Sequence, residues 1–238
     1  MEDVNLQMSK APKLIVMLTH NDRTVEQAYE IFEKCRNSKA DYWGFKEEGL
    51  PLEEMKRLYS YMKKCGKTTV LEVVAYTEQE CMQGAKMAIE CGCDILMGTL
   101  FFDSVNDYCK KHKLKYMPFV GKVINRPSVL EGTIEEMIME ASEYLKKGVY
   151  GFDLLGYRYK EDAEELIYNF VSQVDAPVCI AGSINSYSRL DVVEESGAWA
   201  FTIGGAFFEN CFEGSFNEQI NKVCEYIENI SQKEQHNV

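Results

Sequence analysis

The strongest constraint on this chain's fold is a unit that recurs eight times: a short apolar run, a polar turn, then an amphipathic stretch. The runs are Lys13–Leu18, Asp41–Phe45, Thr69–Val74, Ile95–Met97, Tyr116–Val120, Gly151–Leu155, Val178–Ala181 and Ala200–Ile203. They are continuously apolar and do not alternate, the pattern of strands buried on both faces of a parallel sheet. Their starts lie roughly 20 to 35 residues apart, the length of one strand–helix–strand unit.

The stretches between them carry helix signals. In Thr24–Cys35, Val25, Ala28, Tyr29, Ile31 and Phe32 recur at helical spacing. Pro51 opens a helix over Leu52–Cys65. Thr77 with Glu80, and Thr133 with Glu136, read as capping boxes for helices over Thr77–Cys91 and Thr133–Lys147. Gly66, Gly92, Gly148 and Gly197 each stop a helix shortly before the next strand.

Eight such units in 238 residues predict an α/β chain folded as a closed (β/α)8 barrel, eight parallel strands ringed by helices. The barrel fills residues 1–238 as one domain, with disordered tails expected at about 1–10 and 232–238. An open doubly wound sheet usually has fewer strands and a glycine-rich first turn. The first turn here, Leu18-Thr19-His20-Asn21-Asp22-Arg23, has no glycine.

Charge and cysteine usage narrow the partners. A net charge of −12 argues against nucleic acid, whose phosphates such a surface repels. No run of 18 apolar residues exists, so no membrane span is expected, and the polar Met1–Lys10 segment points to the cytoplasm. Nine cysteines without a C-x-x-C pair read as packed, reduced thiols. Phe207, Phe208 and Phe212 are candidates for a homodimer contact.

In a barrel of this kind the active end lies where strands pass into the following loops. After the last two strands come Ala181-Gly182-Ser183-Ile184-Asn185-Ser186 and Thr202-Ile203-Gly204-Gly205-Ala206-Phe207. Both turn directly into a helix. Glycines there let the backbone approach an anion, and the N–H groups at the helix start can bind it. Gly182, Ser183, Ile184, Asn185, Gly204 and Gly205 are therefore the candidate phosphate grip, with His20 and Arg126 as further substrate ligands.

The candidate catalytic groups are Lys122, Asp153, Lys46 and Glu72, all placed near strand ends. Charges within apolar strands need partners or a task. Lys122 ranks first, followed by Asp153 and Lys46. A buried ion-pair network that merely fills the barrel mouth is the competing role. His20, Asn21 and Asp22 add acid–base and ligand groups at the end of the first strand, with capping of the helix after it as the other role for Asp22. Arg126 lies in the long Gly121–Gly132 connection, a candidate lid, and Arg158 in a second cationic loop. His20, Glu72 and Asp153 could ligate a divalent metal, but one histidine is thin support and no metal is assigned. No G-x-G-x-x-G occurs, so no nicotinamide unit is indicated and no cofactor is called for.

On Ala181-Gly182-Ser183-Ile184 and Ile203-Gly204-Gly205-Ala206, together with the eightfold pattern, the chain resembles the ribulose-phosphate-binding barrel superfamily. The resemblance implies a small anionic phosphorylated substrate and isomerase, epimerase or lyase chemistry. It does not reach a single enzyme. The decarboxylase signature Asp-x-Lys-x-x-Asp is absent, and Lys122 stands where the histidine-pathway isomerase would have an aspartate.

Three functions stay open. One is isomerisation or epimerisation of a phosphosugar or keto-acid-like metabolite, with lysine and carboxylate as acid and base. The second is a Schiff-base aldolase or lyase in which Lys122, or Lys46, attacks a carbonyl, activated by the other lysine nearby. The third is a non-catalytic phosphometabolite-binding protein.

Overall fold

The computed structural model describes residues 11–235. Eight strands form one parallel sheet: β1 (Lys13–Met17), β2 (Tyr42–Lys46), β3 (Thr68–Val73), β4 (Ile95–Gly98), β5 (Lys115–Met117), β6 (Phe152–Leu154), β7 (Val178–Ile180) and β8 (Ala200–Ile203). Their spatial order is β6-β7-β8-β1-β2-β3-β4-β5. The seam between β5 and β6 has no regular ladder. Two backbone bonds bridge it, Tyr150 N–H to Tyr116 O at 2.9 Å and Asp153 N–H to Pro118 O at 3.1 Å. The barrel is therefore nearly closed, as the eightfold pattern predicts.

Alternation along each strand sorts side chains into two cores. Ile15, Met17, Val70, Ile95, Met97, Met117, Cys179 and Ala200 fill the barrel interior. Their neighbours in sequence, such as Leu14, Val16, Leu71 and Leu96, pack outward under the helices. Continuously apolar runs follow from this double burial. Tyr42, Tyr150 and Trp199, at the starts of their strands, meet edge to face and pack on the interior cluster. These rings cover the interior cluster at the strand-start end of the barrel.

The surrounding helices are α1 (Ala28–Cys35), α2 (Leu52–Lys64), α3 (Glu78–Glu90), α4 (Asp103–Lys111), α5 (Ile134–Lys146), α6 (Ala163–Gln173), α7 (Tyr187–Glu195), α8 (Gly205–Phe208) and α9 (Phe216–Gln235). Thr133 and Glu136 form the expected reciprocal capping box. At Thr77 only half of one forms: the hydroxyl accepts from Glu80 N–H but donates to the Glu80 carboxylate. The four helix-stopping glycines all have left-handed φ, between 69° and 86°.

Two expectations change here. Helix α1 starts at Ala28, not Thr24, because Thr19–His20 and Arg23–Thr24 pair as a hairpin. Thr24 is spent on that hairpin's junction: its hydroxyl donates to Lys46 O at 2.7 Å and accepts from Lys46 N–H at 3.0 Å. Helix α9 runs to Gln235, through residues 232–235 expected in a tail; residues 1–10 and 236–238 lie outside the described ones. Phe207 and Phe212 are each 2% exposed and pack with Phe216 and Tyr187 of their own chain. Phe208 stacks on His20 and meets Phe216. These contacts hold the three rings against their own chain. No helix among the described residues is long and apolar enough to cross a membrane.

Candidate functional site

At the open end of the barrel lies a cleft of about 330 Å³. The turns after β7 and β8 form one wall, with Gly182, Ser183, Ile184, Asn185, Gly204 and Gly205 all lining it. The chain leaves β7 through Gly182 (φ 83°) and Ser183 (φ 52°), two successive left-handed residues. The N–H groups of Ser183, Ile184 and Asn185 donate to no acceptor among the described residues. Arg189 of α7 holds the Ser183 carbonyl and stacks its guanidinium over Tyr157, 4.5 Å from the ring centre. Arg189 thereby holds the turn that lines the cleft.

Arg158 completes this wall. It sits in the single helical turn Gly156–Arg158 after β6, and its stem lies against Gly182. It makes no ion pair with any described residue. Arg126, the arginine expected to close on the substrate, is committed elsewhere. Its guanidinium bonds Asp22 at 2.6 Å, Glu48 at 2.9 Å and Glu47 at 3.3 Å. It ties the hairpin formed by Lys122–Ile124 and Val129–Glu131 to the barrel rim, while Pro127 and Ser128 of that hairpin's turn line the cleft. His20 lines the cleft too, with Nε2 3.6 Å from the exposed Glu209 carboxylate.

Lys46 and Glu72 stand at the other side of the cleft. They are register partners across β2 and β3, so both side chains face the interior at one level. Lys46 Nζ lies 3.4 Å from Glu72 and also pairs with Asp22. Burial opposes the lysine's charge, but the Glu72, Asp22 and Glu47 carboxylates outweigh it and hold its pKa above the ordinary value. Burial likewise works against the Asp22 carboxylate, and its hydrogen bonds to Lys46 and Arg126 prevail, keeping it below the usual range. Asp22 is thus an ion-pair member in left-handed backbone (φ 62°), not a helix cap.

Asp153 on β6 is fully buried, and neither carboxylate oxygen has a hydrogen-bond partner. Burial first, then the Glu72 charge, drive its pKa well above the carboxylate range, with Lys46 only partly offsetting them. It sits beneath the cleft, where burial favours its protonated form.

Lys122 departs from the others. Strand β5 ends at Met117, the chain turns at Gly121 (φ 72°), and Lys122 pairs antiparallel with Glu131 in the hairpin. Its side chain is 67% exposed and bonds Glu131 at 2.9 Å. It does not reach the barrel mouth, and it cannot lower the pKa of Lys46. The structure thus gathers Lys46 and Glu72 at the cleft with Asp153 below, and leaves Lys122 and Arg126 out of the free groups. Sequence reasoning places Thr19 and Asp22 at the active end, leaves Arg158 at even odds with a surface charge, and gives Arg189 no part. The rule that strand ends line the site does reach Arg158. No group of three or more metal-ligating side chains occurs among the described residues.

No protein-family model matches the chain, and no curated protein matches its sequence. Solved structures do. N-(5'-phosphoribosyl)anthranilate isomerase from Pyrococcus furiosus aligns at TM-score 0.65 and 11% identity over 92% of this chain and 99% of that one. The N-acetylmannosamine-6-phosphate 2-epimerase from Clostridium perfringens gives 0.61 and 16% over 93% and 96%. The tryptophan synthase alpha chain from Legionella pneumophila gives 0.66 and 13% over 92% and 93%. At such identities the likeness establishes the fold: the chain is a (β/α)8 barrel of the architecture these enzymes share.

Proposed function

We propose that this protein is an isomerase or epimerase acting on a small phosphorylated metabolite. One observation carries the reading: one cleft is lined by the turns after β7 and β8 with Arg158 on one wall and by the Lys46–Glu72 pair on the other, and we read the first wall as an anion grip. The grip consists of the Ser183–Asn185 amides and the Arg158 guanidinium, which is always charged and suited to phosphate oxygens. A phosphate anchored there would direct the rest of the ligand toward Lys46 and Glu72.

Proton transfer next to a carbonyl needs a base for the C–H bond and a positive charge for the oxygen that becomes an enolate. In this reading Glu72 takes the proton from carbon, and the Lys46 ammonium stabilises the developing oxyanion. Returning the proton to the neighbouring carbon, while the hydroxyl proton passes between the two oxygens of the enediol, gives isomerisation; delivery of a solvent-derived proton to the opposite face of the first carbon gives epimerisation. The electron pair of the broken C–H bond moves into the enediol and back, so no external oxidant or reductant is required. A charged Lys46 suits this role and disfavours a Schiff base, which needs a neutral amine. The fold shared with an isomerase and an epimerase agrees with the reading.

The test is hydrogen exchange in D2O over a panel of aldose and ketose phosphates, followed by NMR. At least one substrate should exchange the proton beside its carbonyl. Glu72→Gln should slow that exchange by about 10²–10⁴-fold. Arg158→Met should weaken binding of the same substrate. Exchange that persists at full rate in Glu72→Gln would remove the proposed base.

A further inference from the structure

We infer that the ligand carries one anionic group, its phosphate, and that the part reaching Lys46 and Glu72 is an uncharged chain bearing hydroxyls. The inference rests on the phosphate reading above and deepens it. Six ionisable residues line the cleft: His20, Asp22, Lys46, Glu72, Arg158 and Glu209. Arg158 alone among them is a cation without an acidic partner, and it stands at the phosphate wall. His20 faces Glu209.

At the far wall every positive charge is already shared. Lys46 lies between Asp22 and Glu72, and Arg126 spans Asp22, Glu47 and Glu48. Asp22 is held ionised and Lys46 charged. A ligand carboxylate placed here would find no free cation and would face the Asp22 and Glu72 charges across a half-dry cleft, where like charges repel strongly.

The same wall suits hydroxyls. Carboxylates are acceptors only, so Asp22 and Glu72 can take O–H donors from a polyol. Asn21, Ser128 and Thr202 also line the cleft and can donate or accept. Thr19 supplies an independent sign of a polar ligand. It lines the cleft, is 7% exposed, and its hydroxyl is buried without any partner. Buried hydroxyls are nearly always paired, so a small shift of this side chain on ligand binding would let it meet a ligand hydroxyl.

Titration calorimetry with three probes decides the matter: inorganic phosphate, sorbitol 6-phosphate and 6-phosphogluconate. The two esters have the same carbon chain and differ in that one ends in a carboxylate. Sorbitol 6-phosphate should bind at least tenfold more tightly than 6-phosphogluconate. Glu72→Gln should narrow that gap by improving the carboxylated ester. Thr19→Val should weaken sorbitol 6-phosphate and leave inorganic phosphate unchanged. Equal or tighter binding of 6-phosphogluconate overturns the inference while the phosphate reading survives. If none of the probes binds, or Arg158→Met changes none of them, the phosphate reading itself fails and takes this inference with it.

Discussion

Arg158 lies across Gly182: a Cβ built on this glycine would stand 2.6 Å from Arg158 Cγ. The missing side chain is what lets the guanidinium reach the anion wall. Gly182→Ala should therefore do two things. It strains a left-handed backbone (φ 83°), at a cost of about 1–2 kcal/mol. It also displaces Arg158, so binding of inorganic phosphate should fall about tenfold. Gly66→Ala is the matched control. Its φ is 77°, but nothing lies within 4 Å of the added Cβ, and it ends α2 away from the cleft. Calorimetry should find the stability loss in both variants and the binding loss only in Gly182→Ala.

Lys122→Ala should leave turnover unchanged and alter stability by no more than about 0.5 kcal/mol, the range of an exposed ion pair. Its ammonium is in solvent beside Glu131, which keeps Lys160 as a second partner. Borohydride reduction with a carbonyl substrate, read by peptide mass spectrometry, should label nothing at this position. A trapped adduct on Lys122 would restore the aldolase reading.

Asp153 predicts a pH-dependent stability. Its pKa is raised in the fold, through burial and the nearby Glu72 charge. Between the unfolded value of about 3.9 and the folded one, the native state keeps a proton that the unfolded chain releases. Stability then falls as pH rises through that window, by up to about 1.4 kcal/mol per unit. The carboxamide introduced by Asp153→Asn has no proton to lose over this range. Thermal melts of wild type and Asp153→Asn at pH 5 and pH 7.5 should therefore diverge, with the variant gaining on wild type at the higher pH. A constant difference would mean that Asp153 ionises normally in the fold.

The barrel is legible in the sequence because its signal is repeated: eight apolar runs and four glycine stops each reinforce the others. That the turns after the last two strands line the cleft is legible for a similar reason, since Gly182 and Gly204-Gly205 follow those strands directly. Lys122 is misplaced by sequence reasoning because the stretch after Phe119-Val120 looks like a continuing strand. Pro118 and the left-handed Gly121 instead divert the chain into a hairpin. Arg126 and Arg158 are alike in sequence, each an arginine in a loop after a strand. What separates them is the company each keeps: three carboxylates from two other loops converge on Arg126, and none reaches Arg158. Pairings between loops that are 78 to 104 residues apart have no local sequence signature.

Arg189 offers a final test, of the turn itself. Its own side chain does not line the cleft. It bonds the Ser183 carbonyl and stacks on Tyr157, so it acts by fixing the peptide that presents the amides. Removing it frees a left-handed, non-glycine turn that is unfavourable on its own. Arg189→Met should raise the KM of a phosphorylated substrate several-fold while kcat stays within about twofold, because the anchor loosens and the Lys46–Glu72 pair is untouched. Arg189→Lys should recover part of the loss, since an ammonium can still donate to the carbonyl but stacks less well on the ring. A fall in kcat with unchanged KM would instead place this turn in the chemistry and not in the anchoring of phosphate.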